Sequence, residues 1–150
     1  MLGIARLFRR QVSPAQGSTL VTANTDRATP AGTETVLVVE DDRAVRLLFT
    51  KVLESAGYDV IACENGTLGL EAARNQIEKI DAIVTDAMLP GMQGPRLIAR
   101  IRAMRPEIPA ILVSGNPVDT VIDPATVFLS KPISPGMLTR ELRRLLRPRM

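Results

Sequence analysis

The sequence predicts an α/β domain built on an open, doubly wound parallel sheet. Three observations carry that reading. Short aliphatic runs alternate along the chain with stretches of helical periodicity. Aromatic residues make up 3% of the chain against 45% hydrophobic residues, so the core is aliphatic, as strands buried on both faces require. Most of the aliphatic runs end in a chemically functional group, and in a parallel sheet the carboxyl ends of the strands share one edge.

The first 34 residues read as a leader and linker. Residues 14–34 are rich in Thr, Ala, Ser, Gly and Pro with almost no periodicity. Residues 1–13 set Leu2, Ile4, Leu7, Phe8 and Val12 against Arg6, Arg9 and Arg10, which suits either an unstructured leader or a short helix for a membrane surface or partner. The body, 35–147, opens with a strand near 36–40. A helix follows over about 43–56, with Val45, Leu48, Phe49, Val52 and Ala56 at helical spacing and Gly57 as its terminator. A short strand near 58–62 meets a turn at Asn65-Gly66, then a helix over about 67–77. Strand 81–86 leads through a loop holding Pro90, Gly91 and Gly94 to a helix near 95–104. Pro106 and Pro109 bracket the approach to strand 110–114, and a short helical segment is expected near 117–123. The last strand, 127–130, precedes a helix with Ser134 as N-cap and Pro135 at its first position, stopped by Pro148.

Composition removes several function classes. Histidine is absent, which excludes the Ser-His-Asp triad, HExxH zinc chemistry and a phosphohistidine carried by this chain. Cys63 is the sole cysteine, so there is no internal disulfide and no structural zinc cluster. The net charge of +3 is misleading, because residues 1–34 carry +2, residues 140–150 carry +4, and the middle carries −3. The body offers no basic face for nucleic acid. No apolar stretch approaches the roughly 20 residues of a membrane span. The expectation is a cytoplasmic protein without a transmembrane segment.

The functional groups at the strand ends suggest one chemistry. Glu40, Asp41 and Asp86 would bring three carboxylates together, which is unfavourable without a cation. Magnesium, an oxygen-seeking octahedral ion, resolves the repulsion, with manganese as an alternative. One oxygen of Asp86 could coordinate the metal while the other attacks phosphorus, giving an aspartyl phosphate. Lys131 supplies a point charge for phosphate, Ser114 a hydroxyl donor, and the loop after Asp86 backbone N–H groups.

Val36–Asp42, Asp86–Gly94, Ser114-Gly115 and Lys131-Pro132 together resemble the receiver domain of two-component response regulators, over about 35–147. The resemblance implies a flavodoxin-like (CheY-like) five-stranded parallel sheet in the order 2-1-3-4-5 with flanking helices. It implies Asp86 as phosphoacceptor, Asp41 as direct magnesium ligand, Glu40 acting mainly through water, and the Met88 backbone carbonyl as a third protein ligand. Ser114 takes the place of the family's hydroxyl residue, Lys131 that of its phosphate-contacting lysine, often followed by a cis proline, and Phe128 that of its switch aromatic. Phe128 also reads as a plain core aromatic. Asp42 lies one residue past the acidic pair and reads as a helix start, where negative charge suits the helix dipole. The MPGMxGP-like and LVSG-like segments resemble receivers at the C-terminus of hybrid sensor kinases.

Two features depart from the family. Ser114 and Lys131 are seventeen residues apart, fewer than usual, and Asp123-Pro124 breaks helix, so the fourth helix is expected short or replaced by a loop. Met88 is apolar where the family commonly tunes dephosphorylation, so slow loss of phosphate is expected. The chain ends nineteen residues after Lys131, which suggests a stand-alone receiver without an output domain. The expected phosphodonor is a histidine kinase or histidine phosphotransfer protein, and the expected readout an altered affinity for a downstream protein. A phosphorylation-independent adaptor with the same fold is the alternative, which would need no intact acid–Ser–Lys set. An aspartate-dependent phosphatase would need a second Asp at the place of Met88, so the chain is not expected to be an enzyme beyond its own phosphorylation and dephosphorylation.

Overall fold

The computed structural model of the protein describes residues 33–116 and 123–147. In chain order the elements are β1 (Thr35–Val39), α1 (Arg43–Ser55), β2 (Asp59–Cys63), α2 (Gly66–Gln76), β3 (Ile80–Asp86), α3 (Gly94–Arg102), β4 (Ala110–Ser114), β5 (Thr126–Ser130) and α4 (Pro135–Leu146). The strands form one parallel sheet in the order β2-β1-β3-β4-β5, as expected. The boundaries agree with the sequence reading to within about two residues. The segment expected to be helical near 117–123 falls outside the described residues except for Asp123, which is not helical. The expected leader lies outside them too, apart from residues 33 and 34, as does the stop at Pro148.

Alternate residues of each strand point to opposite faces, so both faces of the central strands carry apolar side chains. Val36, Val38, Val84, Ile111 and Val113 pack with Phe49 and Leu53 of α1 and with Leu138 and Leu142 of α4. Leu37, Ile61, Ile83 and Leu112 pack on the other face with Leu70 of α2 and Leu97 and Ile101 of α3. This sandwich leaves the carboxyl ends of β1, β3, β4 and β5 side by side along one edge.

Local chemistry sets the helix ends. Asp42, Asn65 and Ser134 each cap a helix, their side chains accepting the N–H of Val45 (3.1 Å), Leu68 (2.8 Å) and Met137 (3.2 Å). Asp42 therefore has the helix-start role expected of it. At the end of α1 the Gly57 N–H reaches the Glu54 carbonyl and the Tyr58 N–H reaches the Leu53 carbonyl, both at 3.0 Å. This double bond pattern needs a left-handed residue, and Gly57 supplies it at φ 102°. At the last turn of α3, Arg102 donates to the carbonyls of Ile108 and Ala125 and to the side chains of Asp123 and Thr126, fastening the start of β5.

Candidate functional site

Each site residue sits where a strand ends. Glu40 follows β1, its N–H still bonded to the Cys63 carbonyl of β2 (3.1 Å). Asp86 is the last residue of β3, and the next N–H, of Ala87, bonds the Val113 carbonyl of β4 (2.8 Å). Lys131 follows β5 with its N–H on the Ser114 carbonyl (2.9 Å). These main-chain bonds hold three side chains toward one point. The Lys131 Nζ lies 2.9 Å from Asp86 Oδ2 and 3.3 Å from Glu40 Oε1. Carboxylate oxygens of Glu40, Asp41 and Asp86 all lie within 4.8 Å of one another.

Glu40 is 1% exposed and Asp86 8%, whereas Asp41 is open to solvent. Burial is the main reason that the Glu40 carboxyl is pushed up from 4.5 to about 7, and the neighbouring Asp86 charge adds to it. The Asp42 N–H on Glu40 Oε2 (3.1 Å) and Lys131 work in the opposite direction. Burial pulls the Lys131 ammonium down, but its hydrogen bond to Asp86 and the charges of Glu40 and Asp86 outweigh that and hold it above its ordinary value. One ammonium thus serves two buried carboxylates.

The other expected residues are close by but differently engaged. Ser114 is buried, and its hydroxyl accepts the Asn116 N–H (3.1 Å). The Met88 N–H donates to Asp86 Oδ1 (3.0 Å), so the loop does aim a backbone donor at the Asp86 carboxylate. The Met88 side chain is 58% exposed, leaving the site open on that side. Phe128 is half-buried, in register with Leu112 and packed on the α2–α3 side of the sheet. Ser114, two residues past Leu112, belongs to the same face. The Lys131-Pro132 bond is cis.

Two residues were not singled out for these roles by the sequence reading. A Cβ on Gly94 would run into the Asp86 carbonyl oxygen and come within 3.0 Å of Ala87 Cα, so only glycine lets α3 start this close to Asp86. The Gly94 N–H also bonds the Ala87 carbonyl (2.9 Å). Arg46, on the first turn of α1, donates from Nη1 to the Glu40 carbonyl (2.8 Å) and fixes the main chain of the acidic pair. The Gly-Pro pair at 94–95 signals a turn but not what lies beneath it, and nothing local marks Arg46.

The donor set is all oxygen, with no thiolate or imidazole, which suits a hard divalent cation. One ammonium faces three clustered carboxylates, so a cation fits here.

The response regulator receiver domain profile matches residues 36–143. Among curated proteins, the chain is 35% identical over 121 residues to the sensor kinase CckA of Brucella abortus, covering 77% of this chain and 13% of that protein. It is 31% identical over 121 residues to a cyclic di-GMP phosphodiesterase of Thermotoga maritima, covering 77% and 32%. Among solved structures, the receiver domain of the hybrid histidine kinase CckA superposes with a TM-score of 0.69 at 29% identity, covering 75% of this chain and 99% of that one. The chemotaxis protein CheY4 of Vibrio cholerae superposes at 0.68 and 25% identity, covering 77% and 100%. The chain thus spans between about an eighth and a third of the curated relatives named here, and nearly all of the isolated receiver structures. With its sheet order, its strand-end acids and lysine, and this match over most of its length, the chain belongs to the receiver domain family of two-component response regulators.

Proposed function

We propose that this receiver accepts a phosphoryl group on Asp86 from a phosphohistidine of a histidine kinase or histidine phosphotransfer protein, in a magnesium-dependent reaction. The observation that carries the reading is the Lys131 ammonium 2.9 Å from Asp86 Oδ2, with the Glu40 and Asp41 carboxylates beside it. A carboxylate oxygen of Asp86 attacks phosphorus, the P–N bond breaks, and its electron pair stays with the donor imidazole. Lys131 balances the incoming charge by moving its contact from the carboxylate to a phosphoryl oxygen. The Met88 N–H and the Ser114 hydroxyl are the nearby donors for the remaining oxygens. Glu40, Asp41, Asp86 and the Met88 carbonyl would hold the metal. Bound there, magnesium, or manganese in its place, supplies positive charge that relieves the carboxylate repulsion and neutralises the phosphoryl group.

The output is a change in protein affinity. Drawing Ser114 toward the phosphoryl group vacates space on the face it shares with Phe128, and the half-buried ring turns inward. A few kcal/mol of differential binding are enough to move such an equilibrium. The domain acts as a cytoplasmic switch in a phosphorelay rather than as an aspartate-dependent phosphatase, because Met88 cannot act as the acid that such a phosphatase needs. No helix among the described residues is long and apolar enough to cross a membrane.

Incubation with a phosphorylated histidine phosphotransfer protein tests the reading. Label should move to the wild type and not to Asp86→Asn, and equal transfer to both would refute it.

A further inference from the structure

The Asn65-Gly66 turn joins β2 to α2, and none of the proposed chemistry falls on it. Yet this corner touches both halves of the acidic site. On one side the Cys63 carbonyl, at the end of β2, accepts the Glu40 N–H (3.1 Å). On the other, buried Gly66 opens α2 directly against Met92, in the loop between β3 and α3. A Cβ built on Gly66 would lie 2.8 Å from both the Cβ and the carbonyl oxygen of Met92. Asn65 holds the helix start in that place by accepting the Leu68 N–H (2.8 Å).

The loop that meets Gly66 has little other freedom. Its base is closed by the Gly94 N–H on the Ala87 carbonyl (2.9 Å) and by the Ala87 N–H on the Val113 carbonyl (2.8 Å). Leu89 is buried and Met92 half-buried, and both pack in the apolar cluster that holds Leu70 and Leu97. Met88 lies between these anchors with its N–H 3.0 Å from Asp86 Oδ1. Its own side chain is exposed, so the rest of the loop, not the packing of Met88 itself, places its main chain.

We propose, building on the function proposed for the site, that Gly66 is a positioning residue: by letting α2 begin against Met92, it sets the main chain of Met88 beside Asp86. It acts through Met92 and touches none of the reacting atoms. Carbon atoms in contact sit near 3.5 Å apart, so a methyl group at position 66 pushes Met92 back by roughly 0.7 Å. With the loop base pinned at Ala87, residues 88–91 take up that displacement. They carry both the Met88 carbonyl assigned to the metal and the N–H assigned to the phosphoryl group.

The test compares wild type, Gly66→Ala and Ser134→Ala, the last a cap variant that loses stability on another helix. Two readouts are taken where urea curves show each protein fully folded: hydrogen exchange of the Met88 amide without metal, and magnesium affinity by titration. Gly66→Ala should exchange that amide about tenfold faster and bind magnesium about tenfold more weakly. Ser134→Ala should match the wild type in both. Should Gly66→Ala not fold, Met92→Ala takes its place, since it removes the side chain that seats the loop, and the same two changes are expected. A folded variant that loses stability but keeps wild-type exchange and wild-type affinity would overturn the proposal. If the wild type itself binds no magnesium, the metal reading of the site fails, and the exchange of the Met88 amide alone decides for or against the positioning role.

Discussion

Glu40 and Asp86 are buried beside one ammonium, and that imbalance gives the site its pH dependence. The Glu40 carboxyl, pushed up to about 7, keeps its proton in the folded protein after the unfolded chain has released it near 4.5. Its contribution to stability is therefore full below pH 4.5 and lost as pH rises to about 7. Glu40→Gln should be more stable than wild type by about 3 kcal/mol at pH 8 and indistinguishable from it at pH 4, as read by urea denaturation. Magnesium affinity of the wild type, which follows the folded carboxyl alone, should climb around pH 7 and stay low and flat in the variant. Gly94 is a steric counterpart. Gly94→Ala should cost about 2–3 kcal/mol in the same assay and slow phosphorylation, because the new methyl group meets the Asp86 carbonyl. Met88 is exposed beside Asp86 and offers water no polar guide. Met88→Asn should shorten the phosphate lifetime by about tenfold, a change of ~1.4 kcal/mol in the barrier, followed as loss of label with time. An unchanged lifetime would remove Met88 from the account.

At the scale of elements, caps and strand ends do most of the positioning. Asp42 was legible as a helix start because an acid just before an apolar helical period has one efficient use, and its bond to the Val45 N–H is that use. Gly57 was legible for a similar reason, since a glycine after the last periodic residue is the cheapest left-handed terminator. Ser134 caps α4, which packs Leu138 and Leu142 under β1 and β3. Ser134→Ala should lower stability by about 1 kcal/mol, seen as a lower urea midpoint, with phosphorylation little changed. Tertiary fastenings were not legible. Arg102 reads in sequence as one more surface arginine of α3, yet it fastens the start of β5 through three groups far from it along the chain. Arg105, which binds the carbonyls of Ile77 and Ile80, is a second case.

For the whole molecule, the sheet order and the meeting of Glu40, Asp41, Asp86 and Lys131 could be foreseen, because parallel strands put their carboxyl ends together whatever the details of packing. The depth of burial could not. Glu40 looks in sequence like a solvated acid beside two others, and only the packed sheet shows it closed off from water while Asp41 stays open. The same holds for Ser114, whose hydroxyl faces the Asn116 N–H. Under the proposed function, its travel toward Asp86 would link chemistry at the sheet edge to Phe128 and to a partner surface. The acceptor role of Asp86 is the claim on which the rest depends. It is tested most directly by the intact mass of wild type and Asp86→Asn after incubation with acetyl phosphate, with and without magnesium. The account predicts a gain of one phosphoryl group in the wild type only, and only with magnesium. A wild type that gains nothing, or a variant that gains as much, would contradict it.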